Sequence, residues 1–461
     1  MNYLKMIKQK EAKRLALIHD GIPYTYGELV EKAVKLSQDD TVFPENFKKE
    51  ADKKQIHIIQ RKEILDQLLE FLSCSERKLI PMIVPKEITI SLKQLENINI
   101  PENACMAVMT SGTCGEPKIL FRTYESWADF FPVQNEIFGI KETSRLFVQG
   151  SLAFTGNLNL YLAQFFAGAV IIAENTFSPK KWLDRIEQKQ ADSIYLIPSK
   201  LFCLLQVLEK KGEKNKDNIK IIVTGSQGFS GEDAKRLKQY FSQAELLYYY
   251  GASELNYLTY IKDKDMTWEK NLVGKPFPGV TVFVKNGEIF IDTLYHAEGI
   301  SCPCTISDKG YLDRNGNLYF CGRSDDILEI HGCKISAVFI ENALEQIEEI
   351  EEAVVMVLIE KEQQVLTAFV SLKEEMLREF LYWQSKKLTD QYKMIDMITQ
   401  GYFLGEVKRN KVFQKLKNKL KSYEIPDKLI VVREMPRNDS GKIEKKKLKQ
   451  EWNRQFSSCW D

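Results

Sequence analysis

Apolar and polar positions along residues 107–285 alternate between two patterns. Short apolar runs have the length of buried strands, and the stretches between them have the spacing of helices. The strand-like runs are AVMT, RLFVQG, AVIIAE, SIYLIP, IKIIVTG and LLYYYG, and the helical stretches include PKKWLDRIEQKQ and GEDAKRLKQYFS. Because this alternation is typical of strands joined by crossover helices, we expect a mostly parallel sheet covered by helices.

The pattern then changes to short strands with turn signals over residues 280–324, where Asn286-Gly287 and Asn315-Gly316 each fit a hairpin turn. We expect a small β-rich subdomain there. Two further strand-like runs, VVMVLIE and LTAFVSL, precede long Lys/Glu-rich helices over 373–420 and the run KLIVVREMP. The chain is therefore predicted to be an α/β protein, with a large N-terminal domain over 1–324 and a smaller α+β domain over 325–461.

Two other apolar runs complete the predicted organisation. The run LYLAQFFAGAVIIA is too short to span a bilayer and is interpreted as a helix end, a turn at Gly168 and a buried strand. We therefore expect no stable membrane insertion. The segment between Leu29 and Asn103 is short and charged, which predicts a trimmed N-terminal lobe with IPMIVP as its remaining strand.

Charge and cysteine content exclude several classes of function. Lys and Arg number 65 against 64 Asp and Glu in 461 residues, so no global field would attract nucleic acid. The charged start MNYLKMIKQKEAKRL lacks the apolar core of a secretory signal, and we expect a cytoplasmic protein with reduced thiols. Four histidines and the lack of a G-x-S-x-G motif give hydrolase chemistry little support.

The stretch TSGTCGEPKIL combines hydroxyl side chains, two glycines, a proline and a lysine just after an apolar run. Glycines let backbone N–H groups approach a ligand, and Lys118 adds a positive charge, so a polyphosphate is the natural ligand. Pro117 precedes Lys118, and the pattern of a Walker A loop is therefore absent. Taken alone, the stretch is equally compatible with a surface turn.

Four later motifs decide between these alternatives. YYYGASE contains Glu254, ISDKGYLD contains Asp308, GRSDDILEIHGCKIS contains Arg323, and PRNDSGKIEKKKL contains Lys442. In this order and at these separations, and together with PYTYGEL near the N-terminus, they resemble the motifs of the adenylate-forming (AMP-binding) superfamily. That superfamily includes acyl-CoA synthetases, peptide-synthetase adenylation domains and luciferases, and the resemblance covers nearly the whole chain.

The resemblance implies a nucleotide site in the N-terminal domain. The loop would hold the β and γ phosphates of ATP, and Thr113 is also assigned to catalysis. Tyr250 would lie along the adenine, and Glu254 would coordinate Mg²⁺. Asp308 would accept hydrogen bonds from the ribose hydroxyls, and Arg323 would donate to the same sugar. The residues implied in cofactor binding are Thr110, Ser111, Gly112, Thr113, Gly115, Lys118, Gly225, Tyr249, Tyr250, Gly251, Ser253, Asp308, Arg323 and Gly332.

The resemblance also implies roles for the C-terminal domain. Lys442 would reach between the α phosphate and the substrate carboxylate, where it stabilises the negative charge of the transition state. Asp325 matches the hinge about which this domain rotates between two half-reactions. Gly332 matches the tunnel for the thiol of CoA or of the phosphopantetheine on an acyl carrier protein, where close backbone approach is needed.

The chain departs from the family pattern at a few positions. Cys114 stands where Thr or Ser is usual, and Ser253 stands where Thr is commoner, but both changes leave backbone donors intact. Ser307 replaces the glycine before Asp308, so a different local backbone is expected there.

The substrate pocket is predicted near SLAFTGNLN, GSQGF and Trp127, with Phe154 and Gly225 among its residues. Amino-acid-activating relatives usually place an Asp in the first of these segments, whereas this chain has Ala153 and Phe154. The residues favour an acid with an apolar acyl or aryl tail, although aromatic side chains at these spacings are as often plain core.

Three functions remain open from sequence. The first is an ATP-dependent acid–thiol ligase that makes an acyl-AMP and then a thioester. The second is a stand-alone adenylation enzyme that loads an aryl or amino acid onto a carrier protein. The third is a non-catalytic nucleotide-binding relative, against which the joint presence of Lys442, Glu254, Asp308 and Arg323 argues.

Overall fold

The computed structural model divides the chain into two compact units. The first comprises Met1–Phe283, Phe290–Thr305 and Asp313–Leu318, and the second comprises Val284–Ile289, Ile306–Leu312 and Tyr319–Asp461. The structure describes residues 1–43, 54–86, 88, 90, 95, 98–109, 118–212, 216–323, 327–330, 333–360, 363–378, 403–406, 410–417, 419–437 and 443–456. The domain boundary that the sequence predicts, between 324 and 325, stays a prediction.

The strands are β1 Leu15–His19, β2 Ile22–Thr25, β3 Ile56–Ile59, β4 Ile80–Ile83, β5 Met106–Met109, β6 Ile119–Arg122, β7 Arg145–Gln149, β8 Val170–Glu174, β9 Ser193–Tyr195, β10 Ile221–Gly225, β11 Glu245–Ala252, β12 Asn256–Lys262, β13 Leu272–Pro276, β14 Val280–Lys285, β15 Glu288–Thr293, β16 Asp308–Leu312, β17 Leu318–Arg323, β18 Ile327–Ile330, β19 Cys333–Ser336, β20 Ile350–Glu360, β21 Gln363–Leu372, β22 Phe403–Glu406 and β23 Lys428–Val432. The α-helices are α1 Tyr3–Lys8, α2 Tyr26–Ser37, α3 Ile64–Ser73, α4 Glu125–Ala128, α5 Phe131–Ile137, α6 Thr155–Ala167, α7 Pro179–Gln188, α8 Pro198–Lys211, α9 Gly231–Lys238, α10 Ala337–Glu345, α11 Asn410–Lys417 and α12 Lys445–Phe456.

The first unit is built on a sheet whose centre is parallel. Strands run in the order β11-β10-β9-β7-β8-β1, and every neighbouring pair in this row is parallel. All five residues of β8 are buried, as expected for a strand covered on both faces. The α/β class and the mostly parallel sheet are therefore confirmed. The run LYLAQFFAGAVIIA also has its predicted form, since Gly168 ends α6 with a φ of 77° before β8 begins.

A second, smaller sheet in the same unit has the order β3-β4-β5-β6. The predicted remnant strand in IPMIVP is β4, which pairs in parallel with β3 and β5. Its core consists of apolar residues that include Met82, Ala107 and Phe121. Strand β6 runs antiparallel to β5, so Met109 is paired with Ile119 across the predicted phosphate loop.

The two predicted hairpin turns form with different geometries. Asn286 and Gly287 have φ values of 53° and 73°, which is the two-residue turn that an Asn-Gly pair favours. The second connection is longer, because the Asp313 side chain accepts hydrogen bonds from the backbone N–H groups of Asn315 and Asn317. Within this second connection only Gly316 has a positive φ.

The second unit contains a four-stranded sheet in the order β20-β21-β23-β22. The predicted strands VVMVLIE, LTAFVSL and KLIVVREMP correspond to β20, β21 and β23. The prediction of long Lys/Glu-rich helices over 373–420 is wrong at 403–406, because β22 pairs there as an antiparallel edge strand with β23. Residues 379–402, 407–409 and 418 of this segment lie outside the described residues. An edge strand depends on its partner from outside the segment, which local sequence does not reveal. None of the helices in the described residues is long and apolar enough to cross a membrane.

Candidate active site

The carboxyl ends of β10 and β11 bring two predicted nucleotide-binding residues together. Gly225 pairs in parallel with Tyr249. A Cβ at position 225 would lie 2.6 Å from the Tyr249 carbonyl oxygen, so any larger residue would force the strand ends apart. The Tyr249 hydroxyl lies 2.7 Å from that of Tyr195, and burial raises the pKa of Tyr249. This packing fixes the strand that leads into half-buried Tyr250.

Glu254 lies at the tip of the hairpin between β11 and β12. Ala252 pairs with Asn256, and the three residues between them form the turn. A Cβ on Gly251 would lie 2.6 Å from the Asn256 carbonyl oxygen, which explains the glycine before the turn. Ala297 N donates to the Glu254 carbonyl at 2.8 Å. The half-buried Glu254 carboxylate is a hard oxygen ligand and therefore fits Mg²⁺.

Arg122, at the end of β6, donates a hydrogen bond to the backbone of this hairpin. Its guanidinium is fully buried and donates through Nη2 to the Ser253 carbonyl at 2.6 Å and through Nη1 to the Tyr295 carbonyl at 3.1 Å. The guanidinium carbon lies 5.4 Å from the ring centroid of Trp127, within cation–π range. Burial lowers the pKa of Arg122 to about 10. The backbone beside Glu254 is therefore tied to a side chain more than a hundred residues earlier.

The predicted pocket segment that begins at Ser151 is held by Gln67 of α3. Gln67 Oε1 accepts hydrogen bonds from Ser151 Oγ at 3.1 Å and from Leu152 N at 2.8 Å. Its Nε2 donates to the Arg61 carbonyl at 2.8 Å, and the side chain is buried. Three of the four hydrogen-bonding positions of the amide are thus used by the Arg61 carbonyl and this segment.

Phe154 immediately precedes α6, where it is half-buried beside Gly156. A Cβ on Gly156 would lie 2.7 Å from the Tyr195 hydroxyl and 3.1 Å from the Phe154 ring. The next residue, Thr155, accepts a hydrogen bond from Ser253 Oγ at 3.3 Å. The predicted pocket residue Phe154 and the hairpin of Glu254 are therefore neighbours.

The second unit brings the two predicted ribose-binding residues together. Asp308 begins β16 and is 1% exposed, and Arg323 ends β17, the neighbouring strand. Arg323 Nε lies 3.4 Å from Asp308 Oδ1, and the Arg323 side chain is 48% exposed. Ser307 has a φ of 64°, in the left-handed region that glycine favours. The serine thus adopts a glycine-like conformation next to the buried carboxylate.

Several predicted site residues lie outside the described residues. These are Thr110, Ser111, Gly112, Thr113, Cys114, Gly115, Asp325, Gly332 and Lys442. Lys118 is described and exposed, immediately before β6. Arg437 forms an isolated bridge with Ile443, one on each side of Lys442. The roles assigned to the residues outside the description stay predictions.

Sequence reasoning missed Arg122 and Gln67. Each lies in a different element from the backbone that it holds, and neither belongs to a motif. The one available signal is a polar residue within an apolar run, since Arg122 follows ILF and Gln67 interrupts ILDQLLEFL. A buried polar side chain needs a partner, but sequence does not say which one.

Comparison with known proteins gives concordant matches. Residues 5–290 match the family model described as AMP-binding enzyme. The chain is 26% identical over 367 residues to the uncharacterized acyl-CoA ligase YhfT of Bacillus subtilis, a match that covers 76% of this chain and 69% of that protein. It is 21% identical to the putative long chain fatty acid-CoA ligase VraA of Staphylococcus epidermidis, over 97% of both chains.

Solved structures show the same fold. The o-succinylbenzoate CoA synthetase MenE of Bacillus subtilis, in complex with OSB-AMP, aligns with a TM-score of 0.73 at 17% identity over 97% of this chain and 98% of its own. ATP-bound MatB from Rhodopseudomonas palustris aligns with a TM-score of 0.74 at 17% identity, over 98% of both chains. The resemblance that the motifs indicate is confirmed, and the chain belongs to the family of AMP-binding enzymes.

Proposed function

We propose that this protein is an ATP-dependent acid–CoA ligase that activates a carboxylic acid as an acyl-AMP. The observation that carries the proposal is the family match over residues 5–290, which includes the Glu254 hairpin and the Gly225–Tyr249 contact. The Asp308–Arg323 pair supports it from the second unit, because a buried carboxylate beside a guanidinium suits a sugar with two hydroxyls.

The chemistry follows from the poor electrophilicity of a carboxylate. In the first half-reaction the acid oxygen attacks the α phosphorus of ATP, the bond to the β phosphate breaks, and pyrophosphate leaves. In the second, the thiol attacks the acyl carbon, loses its proton, and expels AMP. Mg²⁺ would neutralise phosphate charge during the first step, with Glu254 as its protein ligand. Tyr250 would lie along the adenine, and Lys442 would stabilise the charge at the α phosphate.

The thiol acceptor is proposed to be CoA. The relatives YhfT and VraA carry the name of CoA ligases, whereas a plipastatin synthase protein of Bacillus subtilis, a relative of a different kind, is matched over only 14% of its length. Loading of a phosphopantetheine on a carrier protein is the alternative outcome of the same experiment.

The acid is proposed to carry an apolar or aryl tail. Ala153 and Phe154 occupy the segment that Gln67 positions, and an α-ammonium there would need a carboxylate partner to offset its desolvation. Matched pairs of acids test this, for example a hydrocinnamate against phenylalanine. The apolar member should exchange at least about tenfold faster, which corresponds to about 1.4 kcal/mol. Consistent preference for the amino acids would move the protein to the amino-acid-loading branch.

The function is tested by ATP–pyrophosphate exchange over fatty, aryl and amino acids, followed by thioester formation with CoA and with a holo carrier protein. Glu254→Gln should slow exchange by roughly a hundredfold, because the metal loses a charged ligand. Glu232→Gln, which removes an exposed carboxylate on α9, is the matched control and should leave exchange unchanged. If no acid supports exchange, the non-catalytic alternative is the correct one.

Separate measurements of the two half-reactions distinguish the proposed roles of Lys442 and Gly332. Lys442→Ala should reduce acyl-AMP formation by roughly a hundredfold and leave transfer from supplied acyl-AMP largely intact. Gly332→Leu should do the reverse, because bulk would block the thiol. Lys447→Ala removes an exposed lysine of α12 and serves as the control. Equal loss in both half-reactions for either variant would contradict the assigned role.

A further inference from the structure

Away from the proposed nucleotide site, three potential metal ligands converge at one end of the parallel sheet. His19 ends β1, Asp20 follows it, and Glu63 immediately precedes α3. One ligand atom from each, the His19 Nε2 and one carboxylate oxygen from Asp20 and from Glu63, all lie within 4.8 Å of one another. The cluster sits at the carboxyl ends of β1 and β8, since His19 pairs in parallel with Ala173.

The side chain of Asn175 lies among these three atoms. Its Nδ2 is 2.8 Å from His19 Nε2 and 3.2 Å from Asp20 Oδ2, and it also hydrogen-bonds Glu63 Oε2. The orientation of the amide is set from the other side, because Asn175 Oδ1 accepts the backbone N–H of Ile64 at 2.9 Å. The atom that faces the cluster is therefore the nitrogen, which only donates.

The Asn175 amide nitrogen is the hydrogen-bond donor that these three side chains share. An amide nitrogen carries two hydrogens, whereas three polar atoms, two of them carboxylate oxygens, lie within hydrogen-bonding distance of it. Within the described residues neither Asp20 nor Glu63 forms an ion pair with a lysine or arginine within 4.0 Å. Both carboxylates are partly buried, and a cation bound between them would reduce their mutual repulsion.

His19 distinguishes the cluster from an ordinary acidic patch. Its side chain is 9% exposed, and its Nε2 lies 3.9 Å from Asp20 Oδ2 and 2.8 Å from Asn175 Nδ2. A ring nitrogen beside two carboxylate oxygens supplies the mixed nitrogen and oxygen ligand set that Zn²⁺ takes. Asp20, at 35% exposed, leaves a path from solvent to the cluster.

We propose that His19, Asp20 and Glu63 bind a divalent first-row transition ion, and that Zn²⁺ suits them best. One imidazole and two carboxylates match a three-ligand zinc site with a fourth position for water. The imidazole disfavours Mg²⁺ and Ca²⁺, which take oxygen ligands. Ligands at about 2.1 Å from zinc lie closer together than 4.8 Å, so the Asn175 amide swings aside when the ion enters.

An ion here would fasten the end of β1 to the start of α3. Glu63 is the residue before the first turn of this helix and makes no side-chain capping hydrogen bond. Gln67, one turn later, accepts from Ser151 and Leu152 of the predicted pocket segment. The site is thus placed to stabilise the helix that positions that segment.

The test uses the full chain, freed of metal with a chelator and kept without ATP. Equilibrium dialysis against buffered Zn²⁺ and Mn²⁺ counts bound ions, and Mn²⁺ avoids the cysteine thiols because it prefers oxygen and nitrogen ligands. His19→Gln, Asp20→Asn and Glu63→Gln should each weaken one site by about a hundredfold. Glu232→Gln and Glu254→Gln should retain that site.

Asn175→Asp should increase the affinity of the site for the metal ion, because it replaces the competing amide by a further carboxylate. It should tighten the same site by at least about tenfold. Thermal melts report folding, and Glu63→Gln keeps the test valid if His19→Gln does not fold. Equal stoichiometry and affinity in the wild type and the three ligand variants, or binding that only Glu254→Gln removes, would overturn the proposal.

Discussion

Glu254 and Asp308 are two carboxylates with proposed roles at one nucleotide, yet different structures hold them. Glu254 is half-buried at a hairpin tip, and the backbone beside it is fixed by Arg122 from a distant strand. Asp308 is 1% exposed at the start of a strand, and its partner Arg323 comes from the next strand of the chain. The first depends on a long-range contact, and the second depends on a local one.

This difference predicts different consequences of mutation. A carboxylate held through the backbone loses its position when a remote residue fails, and the damage includes stability. A carboxylate held by its own ion pair can be altered with little effect beyond ligand binding. The three predictions that follow test this separation, from the largest expected effect to the smallest.

Replacement of Arg122 should have the largest effect. Arg122→Met fills a similar volume but leaves the Ser253 and Tyr295 carbonyls without their donor, at a cost of about 2–4 kcal/mol in the free energy of unfolding. ATP–pyrophosphate exchange should fall as well, because the Glu254 turn loses its support. Denaturant unfolding and exchange rates measure the two effects.

The matched control is Arg236→Met, which removes a 49% exposed guanidinium on α9 and should change stability by less than about 0.5 kcal/mol. Arg122→Lys should fall between wild type and Arg122→Met, since an ammonium is too compact to serve both carbonyls from one rigid fork. If Arg122→Met unfolds like the wild type, the long-range support of the hairpin does not exist.

Asp308→Asn should instead weaken ATP binding and leave the stability of the fold largely unchanged. The amide keeps the shape of the carboxylate but offers one acceptor oxygen and no charge, so the affinity for ATP should fall by about ten- to a hundredfold. The midpoint of thermal unfolding should shift little. Asp292→Asn, at an exposed position, controls for charge, and ATP titration by calorimetry gives the affinities. A stability loss as large as that of Arg122→Met would remove the distinction between the two carboxylates.

The same division explains how much of the molecule its sequence predicts. The parallel strands, β4 and the Asn286-Gly287 turn were predictable, because burial periodicity and turn chemistry are local properties. Asp308 and Arg323 were predicted and lie together, since neighbouring strands of one hairpin bring them there. The proximity of Gly225 to Tyr249 was predictable as well, because the carboxyl ends of parallel strands lie at the same edge of a sheet.

The parts that sequence did not predict depend on long-range contacts. Arg122 and Gln67 bind backbone that is 131 and 85 residues away, and no periodicity encodes such a partner. Strand β22 forms because β23 offers an edge, although its surroundings in sequence favour helix. The cluster of His19, Asp20 and Glu63 was not predicted either, since Glu63 is separated from the other two by elements that sequence alone does not bring together.

The smallest predicted effect concerns the left-handed residue beside each carboxylate. Near Glu254 this residue is Asn256, with a φ of 68°, and Asn tolerates the left-handed region better than most side chains. Beside Asp308 it is Ser307, with a φ of 64°, and serine has no such advantage. The Asp308 site should therefore be the more strained of the two.

A comparison of Ser307→Gly with Ser307→Ala isolates that strain, because both variants lose the hydroxyl and only glycine relaxes the backbone. Glycine should be the more stable by about 0.5–1 kcal/mol, the left-handed penalty less the greater entropy of an unfolded glycine. Alanine equal to or better than glycine at 307 would show that position 307 carries no left-handed penalty, and the contrast between the two carboxylate sites would then rest on Arg122 alone.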